Sequence, residues 1–184
     1  MLLLEILAVL LVVDFASGLL HWAEDTYWTE STPVVGRWIV RPNVEHHEDG
    51  AAFVRLGYWR SNWDLLLLGG LVVALAWWLD RLTWHVWVFA LVGGNANQLH
   101  KWGHTPRRDT PALVRWLQAV HVVQSPAHHA GHHGGERNTR YCVVTEILNP
   151  VLDGLGFWRA LERLFASPRS APRRTDLWGE RRAA

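Results

Sequence analysis

The sequence has 184 residues, of which 49% are hydrophobic and 13 are Trp, and its formal net charge is +1. This length fits one domain, the single Cys142 excludes an internal disulfide bond, and we expect no nucleic acid partner. A high hydrophobic content beside a mean hydropathy of -0.01 is typical of a few membrane helices beneath a polar cap.

The first predicted element is a membrane span from Leu2 to Trp22. The run is almost entirely apolar and is long enough to cross a hydrocarbon core of about 30 Å as a helix. A secretory signal is the alternative. However, no Lys or Arg precedes the run, Glu5 lies inside it and no clear cleavage pattern follows. The sequence therefore favours a retained span.

Two further spans are predicted from Trp63 to Leu79 and from Leu82 to Leu99, separated only by Asp80 and Arg81. Such a pair resembles a tight helical hairpin. Both runs are short for a full crossing, so a re-entrant pair is the alternative. We expect both to cross, which gives three spans.

With three crossings, residues 23–62 and everything after His100 lie on the same face of the membrane. Of the 18 Lys and Arg residues, all but Arg81 lie outside the turn between the second and third spans. This distribution places the polar face in the cytoplasm. The membrane is expected to be a bacterial inner membrane or one like the endoplasmic reticulum.

The remaining chain predicts shorter helices. Residues 113–123 have helical apolar spacing, and residues 125–134 form a short helix that Ser125 caps. Residues 141–165 predict one or two amphipathic helices, and a fourth span stays open there. The predicted fold is an all-α integral membrane protein with three to four transmembrane helices and a cytoplasmic histidine-rich helical cap that holds a dimetal site.

The domain organisation follows from the composition of the carboxyl terminus. Residues 167–184 are rich in Pro and Arg and contain little apolar material, so a mobile basic tail is expected there. Residues 1–166 then form one membrane domain.

Histidines are the main chemical signal. Eleven occur, and all except His85 lie on the predicted cytoplasmic side. His100 and His104 are four residues apart, so on a helix their imidazoles share one face about 6 Å apart. That arrangement suits a metal ion. The same helical stripe includes Asn97, a candidate ligand or a residue that supports a ligand.

The first span carries a similar stripe of Asp14, Gly18, His21 and Asp25. Asp14 lies deeper in the membrane than His21, so a hydrogen bond within the fold is the favoured role for its carboxyl group. Asp25 is placed to orient an imidazole or to bind the metal itself.

Two more clusters indicate two ions. His46 and His47 are adjacent and diverge on a regular helix, so each would address a different metal. In the capped helix, spacings of three and four residues create two neighbouring ligand faces, formed by His128, His129, His132 and His133.

The number of histidines exceeds the four ligands of a tetrahedral zinc. A polyhistidine tract can also be low-complexity sequence or a zinc-buffering loop. Here four separated clusters return to one membrane face, which favours a built site. Imidazole ligands are compatible with iron, copper, zinc or nickel, so the residues alone leave the metal open.

Four segments resemble the Kua-type lipid desaturase family: DFASGLLHWAEDT, RPNVEHHEDGAAFVR, NQLHKWGH and LQAVHVVQSPAHHAGHH. The resemblance implies two iron ions, dioxygen as co-substrate and an external electron donor of the cytochrome b5 or ferredoxin type. The implied metal ligands are His21, His46, His47, His100, His104, His128, His129, His132 and His133, and all of them except His128 form the expected catalytic set. His121 also matches a family histidine, with a supporting role as plausible as ligation.

The family resemblance also suggests the substrate, a membrane phospholipid. We expect desaturation of the alkyl ether chain of a plasmanyl phospholipid to the vinyl ether. The chain departs from plasmalogen-forming members in LGYWRSNWD, residues 56–64, so an acyl-lipid desaturase acting on phosphatidylglycerol is the nearest alternative.

Other chemistries and roles stay open at this point. A membrane hydroxylase, a zinc-dependent lipid hydrolase and a non-enzymatic metal transporter are the remaining alternatives. The lipid head group would lie near Arg37, Arg41, Arg55 or Arg60, although membrane topology alone accounts equally well for these arginines.

Overall fold

A computed structural model describes residues 1–134 and 138–165, and within those residues the fold is all-α, as predicted. The predicted tail, residues 167–184, lies outside the described residues. The helices are α1 Leu2–Thr26, a π-helical turn Gly36–Val40, α2 Arg41–Glu48, α3 Gly50–Arg55, α4 Tyr58–Trp78, α5 Trp84–Gly94, α6 Ala96–His104, α7 Ala112–Ala119, α8 Pro126–His133, α9 Leu148–Gly154 and α10 Phe157–Phe165.

Two helices in the described part of the chain are long and apolar enough to cross a membrane, namely α1 with 25 residues and α4 with 21. Only 17% of the apolar window of each is buried inside the protein. Core helices of soluble proteins would be mostly buried, whereas lipid-facing helices expose their apolar side chains. These two helices fit a membrane protein.

The third predicted span differs from the expectation, since it is divided at Asn95 into α5, which has 11 residues, and α6. The Asn95 amide nitrogen donates to the Leu91 carbonyl at 2.8 Å, and its oxygen accepts from the Tyr58 hydroxyl at 2.7 Å. Asparagine side chains that bond nearby backbone compete with the helical ladder. Neither three nor four full crossings are confirmed.

Helix α5 packs against both α1 and α4, while α6 packs against α4 and α8 packs against α6. Small residues allow α4 and α5 to approach closely, because a β-carbon added at Gly69 would lie 3.0 Å from the Ala90 carbonyl oxygen. Val13 of α1, Ala96 of α6 and the loop residues Val143 and Val144 form a buried apolar cluster.

The loop that precedes α9 is tied to α1 by Asp14, whose side chain is fully buried. Its carboxylate accepts hydrogen bonds from the Val144 and Thr145 amides at 2.9 and 3.0 Å and from the Thr145 hydroxyl at 2.5 Å. Asp14 therefore has the hydrogen-bonding role favoured from the sequence, and it fixes residues 138–147, which we call the strap, against the membrane helix.

Replacing Asp14 with alanine is expected to destabilise the fold by about 3 kcal/mol, because two buried amides and one hydroxyl lose a charged acceptor. Thermal unfolding of the detergent-solubilised protein measures the loss. Asp109→Ala, in the exposed turn that precedes α7, is the control. Equal unfolding temperatures for the two variants would contradict this role of Asp14.

Candidate metal centre

Nine side chains that could hold metal ions, from four helices, converge at the cytoplasmic ends predicted for α1 and α6, and they form two groups. Within each group the ligand atoms lie within 4.8 Å of one another. Site 1 contains His46, His100, His104, His129 and His133. Site 2 contains His21, Asp25, His47 and His132.

Helical spacing explains how each side chain reaches its site. His100 and His104 on α6 are four residues apart, as are His129 and His133 on α8, and both pairs face site 1. His132 points instead to site 2. Ser125 caps α8, as predicted, by accepting a hydrogen bond from the His128 amide at 3.3 Å.

The adjacent residues His46 and His47 on α2 go to different sites, which agrees with the divergence expected from their spacing. Their ring centroids lie 4.3 Å apart. His47 also lies 4.6 Å from the ring of His133. The two sites are therefore neighbours, as two-metal catalytic centres require.

In site 1, the Nε2 atom of His129 lies 2.9 Å from Nε2 of His100, 2.8 Å from Nε2 of His104 and 2.9 Å from Nε2 of His133. One ring nitrogen carries either one hydrogen or one lone pair, so it cannot hydrogen-bond to three partners. Nitrogens that bind one ion at about 2.1 Å lie about 3 Å apart at right angles. The donor set fits a metal ion.

In site 2, Asp25 contacts all three histidines. Its Oδ1 atom lies 3.2 Å from His47 Nε2, and its Oδ2 atom lies 3.3 Å from His132 Nε2 and 3.6 Å from His21 Nε2. Asn43 donates to Oδ1 at 2.7 Å. The carboxylate thus lies among the candidate ligands of site 2, and both roles considered for Asp25 stay predictions.

The strap orients two imidazoles of site 2. Nδ1 of His21 lies 3.1 Å from the Tyr141 carbonyl oxygen, and Nδ1 of His132 lies 2.7 Å from the Thr139 carbonyl oxygen. A carbonyl only accepts, so both Nδ1 atoms carry the hydrogen, and each Nε2 lone pair is directed towards site 2. Such partners fix the tautomer of metal-binding histidines.

Burial keeps imidazoles of site 1 in the neutral form, which is the form that can bind a metal ion. Loss of hydration, reinforced by neighbouring histidines, holds the pKa of His46 and of His129 well below the usual histidine value. The same causes lower the pKa of His104 to about 4. Among the described residues, the buried Nε2 atoms of His46 and His132 make no hydrogen bond, which is the expected state of nitrogens reserved for a metal.

The structure does not bring every predicted residue to these sites. His128 points away, and its Nε2 lies 3.1 Å from the amide nitrogen of Asn149. One residue along a helix is a rotation of about 100°, so His128 and His129 face different neighbours. His121 is exposed and pairs with Glu146. Asn97 donates to the Ser61 carbonyl at 2.6 Å.

Some supporting residues were missed by sequence reasoning. Asn43 lies three residues before His46 on α2, and this spacing, typical of one helical face, was a usable signal. The carbonyls of Thr139 and Tyr141 carry no such signal, because every residue has a carbonyl group.

A cavity of about 470 Å³ opens beside the metal sites between α1, α4, α5 and α6. We call it the chain cavity. His21, His46 and His100 reach it at one end, where Arg37, Arg41 and Arg60 also line it. The lining also includes the acidic residues Glu24, Glu45 and Asp64. Apolar side chains line much of the remainder, including Val13, Leu65, Leu68, Val72 and Phe89. Between Arg60 and Val72, α4 rises about 18 Å.

Comparison of the sequence with known protein families gives one match. A family described as the lipid desaturase domain matches residues 10–176. The chain belongs to the lipid desaturase family. This confirms the predicted family and the predicted enzyme class, an oxidoreductase of the desaturase type.

Named relatives include two plasmanylethanolamine desaturases. The chain is 37% identical to plasmanylethanolamine desaturase 1 of Mus musculus over 97% of its own length and 70% of the relative's. It is 34% identical to plasmanylethanolamine desaturase of Myxococcus xanthus over 92% of its own length and 63% of the relative's. The chain therefore spans about two thirds of these relatives.

A third relative has a different name. The chain is 32% identical to fatty acid desaturase 4-like 2, chloroplastic, of Arabidopsis thaliana over 83% of its own length and 55% of the relative's. No solved structure matches the chain.

Proposed function

We propose that the protein is a dioxygen-dependent, di-iron lipid desaturase that converts the alkyl ether chain of a plasmanyl phospholipid, such as a plasmanylethanolamine, to the vinyl ether of a plasmalogen. The observation that carries this proposal is the position of the histidine sites at the arginine-lined end of the chain cavity.

This position favours reaction close to the glycerol. If a phosphate head group lies near Arg37, Arg41 and Arg60, the first carbons of its chain pass His21 and His100. The end of the chain then lies towards Val72, about 18 Å farther along α4. Vinyl-ether formation uses the first two carbons, which fits this order. Arg41 lines the cavity but pairs with Glu45 at 3.0 Å, so Arg37 and Arg60 are the preferred head-group contacts. Arg55 does not line the cavity and pairs with Asp49 at 3.1 Å.

The residues of the protein supply position and exclusion of water. Desaturation breaks one C–H bond on each of two neighbouring carbons and forms a double bond between them. Dioxygen is reduced to two waters by those two hydrogens together with two electrons and two protons from an external donor of the cytochrome b5 or ferredoxin type. Iron ions, when bound at sites 1 and 2, would supply the strong oxidant that unactivated C–H bonds require.

The proposed location is a bacterial inner membrane or an endoplasmic reticulum-like membrane, with both metal sites on the cytoplasmic face. The distribution of Lys and Arg supports this orientation. This orientation would place both metal sites on the side of the membrane where soluble or membrane-anchored electron donors can approach.

An acyl chain of phosphatidylglycerol is the second candidate substrate. It is supported by the similarity to a chloroplast fatty acid desaturase and by the segment in which the chain departs from plasmalogen-forming enzymes. That segment, residues 56–64, contributes Leu56, Arg60, Trp63 and Asp64 to the wall of the chain cavity.

The test is lipid mass spectrometry of a plasmalogen-free host that expresses the protein and is supplied with alkylglycerol. We expect an acid-labile ether lipid that has lost two hydrogens, absent without oxygen and absent in the His132→Ala variant. A gain of oxygen would identify a hydroxylase. Loss of two hydrogens from phosphatidylglycerol acyl chains would select the second substrate. No lipid change with iron-loaded protein and a competent electron donor would reject desaturation.

A further inference from the structure

A second cavity, of about 380 Å³, lies next to the chain cavity on the side away from the metal sites. It is a groove that opens to the membrane-facing surface, where its wall residue Val12 is 56% exposed. Its wall contains Val9, Val12 and Val86, and its polar end contains Glu5 and His85, whose side chains lie 3.4 Å apart. Neither the metal sites nor the proposed reaction uses this cavity.

The two cavities share two wall residues, Val72 of α4 and Phe89 of α5. These side chains therefore lie between the two cavities. Along α1 the chain cavity reaches Val13, and the second cavity begins at Val12 and extends to Glu5. Seven residues of helix separate Val12 from Glu5, which adds about 10 Å to the apolar path.

We propose that Val72 and Phe89 form a constriction that sets the chain-length preference of the enzyme, and that the second cavity holds the terminal methylenes of substrate chains too long for the chain cavity. This inference rests on the proposed function, since it takes the occupant of the chain cavity to be a lipid chain. The occupant of the second cavity is the far end of that same chain.

The position of the second cavity beside the chain cavity and its apolar wall support this occupant. A chain whose head group lies near Arg37 points its methyl end at the constriction, and beyond it the valine-lined wall suits methylenes. The Glu5 and His85 pair then marks the polar end of the path. One methylene more or less in an apolar pocket changes selectivity by about 10- to 200-fold, so small changes in the bulk of the wall should alter the product profile.

The experiment supplies the host with an equimolar mixture of tetradecyl, hexadecyl, octadecyl and eicosyl glycerol and measures each desaturated product by mass spectrometry. Val12→Trp fills the second cavity without touching the chain cavity, and Val72→Phe narrows the constriction. Both should lower the ratio of eicosyl to tetradecyl product by roughly tenfold. Phe89→Ala should raise it. Leu91→Ala, on the same helix, is 62% exposed, lines neither cavity and serves as the matched control.

The tetradecyl product reports folded, active enzyme in every variant, so a folding defect cannot imitate a change of ratio. An active Val12→Trp variant with the ratio of the control would overturn the inference while the proposed function stands. If only acyl chains are desaturated, the same ratio is measured on acyl products. Absence of any desaturated lipid in the unmodified protein would overturn the proposed function, and the inference with it.

Discussion

Replacing His129 with alanine is expected to remove the metal ion from site 1 and to lower lipid desaturation by more than about hundredfold. Even residues that only support a metal ligand change affinity or activity by about 10–100-fold. His129 does more, because its Nε2 atom lies within 2.9 Å of the Nε2 atoms of three other histidines. Metal analysis of the purified variant should show one ion fewer per chain.

His128→Ala is the matched control for this variant. The two residues are neighbours on α8, yet His128 contacts Asn149 and lies outside both sites. We expect the control to keep both ions and most of its activity. Loss of one ion from His128→Ala, with retention in His129→Ala, would restore His128 as a ligand and show that α8 is rotated from the orientation described above.

Replacing Asp25 with asparagine is expected to empty site 2 and to reduce activity by at least about hundredfold. The substitution keeps the size of the side chain but removes the only negative charge among the four candidate ligands of that site. Three histidine nitrogens lie within 3.6 Å of this carboxylate. Metal content and product formation are measured together with thermal unfolding, because loss of metal and activity from a variant that still folds separates ligation from a purely structural role.

Asp109→Asn provides the comparison, since Asp109 is exposed and pairs with Arg108 at 3.5 Å. The Asp25→Asn variant should still fold, because an asparagine oxygen can accept the hydrogen bond from Asn43. Full metal content and activity in Asp25→Asn would exclude the carboxylate as a ligand and leave a three-histidine site.

Much of the fold could be predicted because apolar length and helix caps are local signals. The runs that became α1 and α4 are continuous, and the Ser125 cap of α8 acts through its own neighbours. The division between α5 and α6 was missed, although Gly93, Gly94 and Asn95 are typical of a weak helix. The length of the apolar run concealed that break.

The candidate site was predictable to the extent that helical spacing determines which face a residue occupies. Pairs four residues apart, such as His100 and His104, were correctly expected to lie together. Spacing cannot specify how α8 is rotated against its neighbours, so His128 was included with His129. The strap was not predictable, because Asp14 reaches it across about 130 residues of sequence and its contribution is made by backbone atoms.

The order of the ligands along the chain has a consequence for biogenesis. Site 1 draws on residues from His46 to His133, and site 2 draws on residues from His21 to His132. During synthesis from the amino terminus, α1, α4 and α5 precede α8 and would enter the membrane before either site is complete. Metal binding at either complete site would therefore follow synthesis of α8, and until then the imidazoles of the earlier helices could bind adventitious ions such as zinc or copper.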